Sequence, residues 1–550
     1  MKFNLLEQKN SIFLIIFYLF ALIVGFVTLQ DYGVHIEEKY HRLNGHYWLN
    51  YISKVFNLSE LQRITELKIN GINDYTLSPV SYYNKYGVIF DLPLAFIEIF
   101  LKLENVTDIY YLKHFISYVI FLIGSFFFFN ILNKRCNNFY ISFIGLVLFI
   151  TTPRIFGDSF LYKDILFFSF FTINLFFFLQ TIENFNYKNL LLFAIFTSLS
   201  FNLRIFSILI PIIFIFILFI KSFYEKRFYF FLKGFLMYLF FLFVFSFIFW
   251  PYLWSSPFQN FIDLFTSVKS DLVNYKILYA NNFVQNSLLP SSYIFNWVFI
   301  TSPILQILFF VTGFAFYIIR LVNRFFLIKK NLAYNDLWRG KSEEKDFIIF
   351  FSFSITFLFF IVFNAPFYNG WRLVYFFNIF IIYFGIIFVN NLFNIYRKNI
   401  KIKILITSIV LISIIYNLKF LINYHPFQSL YFNNFLSNKT INGFEGDYHG
   451  LSSKHFFQKI LKNDKRDKIK IGVASHTPLQ RGLEAFSFDI QSKFEIVGQE
   501  YEKADYIYKN NISEVDAKLN KKYEVPKNFS KIYELKINKL IVYEIFKLKD

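Results

Sequence analysis

Residues 87–103 read GVIFDLPLAFIEIFLKL, and whether that run crosses a bilayer decides the topology of the whole chain. Its apolar length suits a membrane span, yet it carries Asp91, Pro93, Glu98 and Lys102. Ionisable side chains are costly at the bilayer centre. A helix lying in the interface plane can instead turn them away from lipid and bury only its apolar face. Eleven further apolar runs surround it, at 11–29, 112–132, 139–152, 165–182, 190–203, 205–222, 229–250, 297–320, 346–364, 372–394 and 403–422. If 87–103 spans, the basic loops at 133–138 (NKRCNN), 221–227 (KSFYEKR), 320–345 and 396–403 (YRKNIKIK) fall outside; if it lies in plane, all four are cytoplasmic. Lys and Arg concentrate in short cytoplasmic loops, so only the in-plane reading satisfies every loop. The sequence thus predicts a mainly α, polytopic membrane protein of about eleven transmembrane helices, with its N-terminus inside and its C-terminus outside.

Composition agrees. Of the 550 residues, 56% are hydrophobic and 17% charged, which excludes an ordinary soluble domain. The formal net charge of +19 would suggest nucleic acid in a soluble protein. Here the basic residues occupy loops between spans, so they are read as topology and no nucleic acid partner is expected. A lone cysteine, Cys136, allows neither an intrachain disulfide nor a cysteine metal site. The first apolar run is longer than a signal core and no A-x-A-like site precedes Asp31, so it is read as a retained helix.

Two parts are predicted: a transmembrane domain over 1–422, with an external loop at 30–111, and an external α/β domain over 423–550. In the latter, KIKIGVAS (468–475), FEIVG (494–498), DYIYKN (505–510) and KLIVYEIF (539–546) read as strands, and HFFQKILKN (455–463) and PLQRGLEAF (478–486) as helices.

Charge that apolar burial cannot explain marks four places, all on the predicted external side. The first is DYGVHIEEKYHRLNGHYWLNY (31–51), with Asp31, Glu37, Glu38 and His41. Adjacent residues on a helix diverge by about 100°, so at most one of Glu37 and Glu38 can face a given site. The second is TPRIFGDSFLYKD (152–164), a short hairpin holding Arg154, Asp158, Lys163 and Asp164; helix capping and a substrate role both fit. The third is Arg204, at a corner inside an almost continuous apolar stretch, where a guanidinium can snorkel or bind a phosphate. The fourth is NAPFYNGWRLVYF (364–376) with Arg372, either an interfacial anchor or an anion site.

Taken in order, these motifs resemble the GT-C-type membrane glycosyltransferases, specifically the bacterial relatives of the family 39 protein mannosyltransferases. That class places an acidic pair in the first external loop, where Glu37-Glu38 stands, followed by an in-plane helix like YGVIFDLPLAF (86–96). PRIFGDSFLYKD (153–164), WPYLW (250–254), ITSP (300–303), YNGWRLVYF (368–376) and HPFQSLYFNNF…FEGDYHGLS (425–452) look like segments of one bacterial subgroup. Glu37 stands where Asp is usual, and His449 where Trp is usual. The resemblance implies an enzyme of the bacterial cytoplasmic membrane that uses a polyprenyl-phosphate-linked sugar as donor and a glycan, lipid or protein as acceptor. It implies Glu38 or Glu37 as base, with Asp164 orienting the base or the sugar or helping to bind a divalent ion. Arg204 and Arg372, and third Lys163, are implied at the lipid phosphate. Asp31, His41, Arg154 and Asp158 are further substrate-site candidates. Some relatives use a divalent metal and some do not, so no metal is assigned. The reading from another class is a transporter, or a flippase or polymerase of lipid-linked glycans.

Overall fold

Apolar runs of this length can satisfy their backbone only by closing hydrogen bonds internally, as helices. The computed structural model describes residues 2–72, 87–161, 163–270, 276–326, 340–363, 367–512 and 520–549. Residues 73–86 of the 30–111 loop (the last of them opening the in-plane stretch), residue 162 of the hairpin, 271–275, 327–339 of the basic loop, 364–366 of the fourth place and 513–519 of the C-terminal part lie outside the described residues.

The order is α1 (Lys2–Thr28), α2 (Glu38–Val55), α3 (Ser59–Ile72), α4 (Asp91–Phe100), α5 (Val106–Cys136), α6 (Phe139–Thr151), α7 (Pro153–Asp158), α8 (Asp164–Glu183), α9 (Tyr187–Leu203), α10 (Leu209–Glu225), α11 (Phe228–Phe249) and α12 (Pro257–Ser270). A hairpin of β1 (Lys276–Tyr279) and β2 (Asn282–Gln285) follows, then α13 (Tyr293–Thr301), α14 (Ile304–Phe326), α15 (Lys341–Val362), α16 (Phe377–Ile395), α17 (Ile400–Asn423) and α18 (Ser452–Asn463). Among the described residues, nine helices are long and apolar enough to cross a membrane. The two remaining expected spans are α6 and α9, of 13 and 17 residues. Both pack between the long helices, α6 against α5 and α16, and α9 against α8 and α11. The expected 297–320 span is divided: α13 stops at Thr301, and α14 resumes after Pro303, whose ring cannot continue a helix.

The 87–103 run forms only the ten residues of α4, about 15 Å of helix, too short to span. Its amphipathicity is inverted relative to a soluble helix. Phe96 and Phe100 are 50% and 73% exposed, while Asp91 and Glu98 are buried. Glu98 accepts two hydrogen bonds from Arg42 of α2, at 2.7 and 2.9 Å; His46 and Lys68 lie 3.1 and 3.0 Å away. The polar face is therefore turned onto α2 and α3, and the phenylalanines are exposed. α12 presents Phe258 and Ile262 in the same way.

The ends of the long helices sort into two faces. On one, Asp346 of α15 receives both Nε and Nη2 of Arg135 from the end of α5 (2.6 and 2.7 Å) and Nη2 of Arg320 from α14 (2.9 Å). Nearby Lys345 pairs with Glu183 at 3.1 Å, and Lys221 with Glu344 at 3.0 Å. Three of the four basic loops expected to be cytoplasmic, 133–138, 221–227 and 320–345, thus meet at this face. The opposite face, the site face, carries the starts of α2, α5 and α8, the α9–α10 corner and the C-terminal sheet.

That sheet has the order β4-β3-β5-β7-β6, built from β3 (Ile469–Ala474), β4 (Phe494–Gly498), β5 (Tyr506–Lys509), β6 (Phe529–Ile537) and β7 (Leu540–Leu548). β3 runs parallel to β4 and β5, while β7 is antiparallel to β5 and β6. The four expected strands are present; β6 is additional, and the 478–486 helix reduces to one turn at Gln480–Leu483. Between α17 and this sheet, residues 424–451 run back across the site face. Asn433 N donates to Ile300 O (2.8 Å), and Ile36 N to His449 O (3.1 Å).

Removing Asp346 leaves the buried Arg135 guanidinium without its counter-charge and Arg320, among the described residues, with only Glu343, 4.0 Å away. Asp346→Ala is expected to cost about 3–5 kcal/mol, read as a lower thermal unfolding midpoint in detergent.

Candidate functional site

α1 ends in a single 3-10 turn at Leu29–Asp31, and the chain then extends to the start of α2. Gly33 lets this extension lie on the C-terminal segment: a Cβ there would sit 2.4 Å from Leu451 O. Glu37 holds the N-cap position and Glu38 opens the helix, so their side chains separate as two consecutive helical positions must.

Glu38 points inward. It is 1% exposed, with Oε1 2.8 Å from His114 Nε2 and accepting from His35 N at 3.0 Å. Lys113 Nζ reaches the Glu38 carbonyl at 3.4 Å. Burial pushes its carboxyl up, but His114, Lys113 and the His35 N–H together bring it below the ordinary value.

Glu37 points across the site face and keeps 39% of its side chain exposed. Its Oε1 accepts from Arg372 Nη2 at 2.9 Å, and its Oε2 lies 3.9 Å from His41 Nε2. Burial of the recess raises its pKa; Arg372, His41 and His35 outweigh that and hold it well below the usual carboxylate range.

Arg372 is set by its neighbour. Trp371 is fully buried and its indole N–H donates to Thr301 Oγ1 at 2.7 Å, which fixes the backbone after Gly370 (φ 72°). The guanidinium lies 5.0 Å above the Tyr368 ring and its Nε is 3.7 Å from Asp164 Oδ2. Asp164, the first residue of α8, pairs with Arg204 through Oδ1. Arg204 is an extended residue (φ −146°, ψ 117°) between α9 and a 3-10 turn at Ile205–Ile208, so it leaves the helix axis toward the site. Lys163 precedes Asp164 with φ 71°; burial and Arg204 pull its ammonium down to about 8, against Glu37, Asp164 and Asp91. The row Glu37–Arg372–Asp164–Arg204, with Lys163 beside it, therefore joins four of the sequence-predicted regions. Two donors in it, Arg372 Nε and Arg204 Nε, are buried without a hydrogen-bond partner among the described residues.

Of the other candidates, His41 stands one layer behind: its Nδ1 is 3.2 Å from Asp91 Oδ2, which Asn44 Nδ2 also reaches at 3.2 Å. Asp31 pairs with His425 at 2.8 Å rather than joining the row. The 152–164 hairpin is not an open loop, because Pro153–Asp158 is a short helix buried throughout. Its Arg154 donates to Tyr431 O (3.0 Å) and Tyr448 Oη (3.3 Å). Arg154 therefore clamps the 424–451 segment. Asp158 lies 3.7 Å from His449 Nε2, and His449 packs on His35 with ring centroids 4.3 Å apart.

Sequence reasoning passed over Glu445. It is buried, its Oε2 has no hydrogen-bond partner among the described residues, and burial pushes its carboxyl up to about 8. One acid in FEGDYHG carries no spacing signal. Among the described residues no group of three or more His, Cys, Asp and Glu side chains is arranged to hold a metal ion.

No protein-family model and no curated protein matches the chain. Among solved structures, the chain is similar to the apo crystal structure of the Archaeoglobus fulgidus oligosaccharyltransferase. The identity is 10% and the TM-score 0.41, over 78% of this chain and 62% of that one.

The two glutamates are expected to differ in kind. Glu38→Ala takes from the buried His114 its carboxylate partner and costs about 3–5 kcal/mol. Glu37→Gln keeps an oxygen to accept from Arg372 and alters a partly exposed side chain, so it is expected to lower the unfolding midpoint less than Glu38→Ala does. Thermal unfolding of both variants in detergent separates the anchor from the site-facing acid, and the reverse order would contradict the assignment.

Proposed function

We propose that the chain is an integral membrane glycosyltransferase of the GT-C type. It moves a sugar from a polyprenyl-phosphate donor to a hydroxyl of a glycan, lipid or protein acceptor at the outer face of a bacterial cytoplasmic membrane. The observation that carries this is the row of charges on the site face: a partly exposed carboxylate beside two guanidiniums whose buried Nε–H donors have no partner among the described residues. A phosphodiester at a membrane surface needs cationic donors in this geometry, and guanidinium is the side chain suited to it. A sugar displacement also needs a base next to that anion.

In this reading Arg204 and Arg372 hold the donor phosphate with Lys163 adding charge. Glu37 accepts the proton as the acceptor oxygen attacks the anomeric carbon. The bond from that carbon to the phosphate oxygen breaks, its electron pair leaves with the polyprenyl phosphate, and the guanidiniums stabilise the charge. One displacement inverts the anomeric centre. Asp164 orients both guanidiniums. An apolar cavity of about 180 Å³ opens beside the Arg204 turn, lined by Phe201, Ser207, Pro211, Leu242 and Phe247, and suits the first isoprene units. The ordered motifs of the chain support the same class. A transporter keeps polar groups near mid-depth, whereas the charges here gather at helix ends.

Glu37→Gln is expected to lower transfer from a radiolabelled polyprenyl-phosphate sugar in membranes by about 10²–10⁴-fold, and Arg204→Gln or Arg372→Gln to raise the donor KM. Full activity in Glu37→Gln contradicts the reading. The pH profile has a defined sign: Lys163 is charged below about 8, so donor affinity falls as pH rises through that value. Lys163→Arg, which does not titrate there, removes that alkaline limb.

A further inference from the structure

Arg372 has two claims on it. Its Nη2 is committed to Glu37 at 2.9 Å, while its Nε–H is buried with no acceptor in hydrogen-bond range among the described residues. Its remaining neighbours hold it weakly. The Asp164 carboxylate is 3.7 Å away and is engaged by Arg204. His35 Nε2 lies 3.3 Å from Nη1, but His35 Nδ1 accepts the Glu37 N–H at 2.9 Å. A neutral imidazole has one acceptor nitrogen, so Nε2 carries the proton and cannot accept from Arg372. Glu37 is therefore the guanidinium's one short hydrogen-bonded acceptor among these contacts.

The backbone at Glu37 is fixed on both sides. Glu37 N donates to His35, Ile36 N to His449 O, and His35 N to Glu38. Only the side chain, which is partly exposed, is left to move. The row as it stands thus masks the acid proposed as base: a carboxylate that accepts a guanidinium is a poor acceptor for a substrate proton.

We propose that Arg372 is shared between Glu37 and the donor phosphate, so that an anion arriving at the Arg204–Arg372 pair draws the guanidinium off Glu37 and unmasks it as a base. This rests on the glycosyltransferase reading and adds an order to it: donor first, activation of the acceptor second. The groups facing Glu37 are Arg372, Asp164 and Lys163 from the site rim and His35 and His41 from its own segment. Removing Arg372 from Glu37 and bringing in a negative charge both push its carboxyl up toward the ordinary range.

The coupling is reciprocal, and that makes it measurable without turnover. If Glu37 competes with the phosphate for Arg372, Glu37→Gln should bind a lipid phosphate more tightly than wild type, by on the order of tenfold. The probe is farnesyl monophosphate, titrated calorimetrically into full-length protein in nanodiscs. At pH 5, in two buffers of different ionisation enthalpy, wild type should take up more protons on binding than Glu37→Gln does. The difference isolates Glu37 from the titration of the probe and of Lys163. Loss of a merely structural salt bridge changes neither quantity in this direction. Equal or weaker binding by a folded Glu37→Gln protein, or equal proton uptake, overturns the shared guanidinium while leaving the anion site intact. Absence of binding to both proteins overturns the anion site, and this inference with it.

Discussion

Consecutive residues at the start of a helix cannot point the same way, and the site is built on that constraint. Glu38 turns into the bundle and is held by His114, Lys113 and the His35 N–H. Glu37 must then turn outward, to Arg372. The buried acid fixes where the helix begins, and the fixed helix sets the direction of the exposed one. Through Arg372 and Asp164 the same geometry reaches Arg204, so one local decision in α2 aligns residues from four distant segments.

The rest of the molecule keeps charge at the ends of an apolar bundle. At one face Asp346 collects Arg135 and Arg320. At the other, acids and bases pair in a row that is only partly satisfied. Unused buried donors are rare because each one forfeits a hydrogen bond to water without replacement. The tightly paired cluster at one face holds helices together; at the other, the guanidinium N–H groups that lack partners among the described residues underlie the proposed anion site.

The C-terminal part is joined to this site by more than proximity. The 424–451 segment supplies His449, whose carbonyl receives Ile36 N–H and whose ring lies on His35, and Arg154 of α7 clamps the same segment from below. Gly450 takes φ 72° to make the turn, and a Cβ there would meet Ile36 at 2.7 Å. The segment therefore sets the backbone that carries Glu37. The sheet beyond it reaches the same region through Glu484, which accepts from Tyr110 at 2.6 Å and lies 3.4 Å from Lys39.

The sequence by itself determined the helical bundle, the meeting of the basic loops at 133–138, 221–227 and 320–345, the failure of 87–103 to form a spanning helix and most of the terminal strands. These follow from hydropathy length, charge placement and alternation, which are local or additive along the chain. It also picked out Glu37, Lys163, Asp164, Arg204 and Arg372, since charges in an apolar chain need a reason. It did not distinguish Glu37 from Glu38, because that choice depends on His114 and Lys113, about seventy-five positions away. Nor did it separate Arg154, which clamps the C-terminal segment through Tyr431 and Tyr448, from Arg204 and Arg372, which meet Asp164 and Glu37 in the row. Such differences reside in the partners each side chain meets. Only the tertiary structure decided them, because pairing energy depends on distance and burial and not on position in the chain.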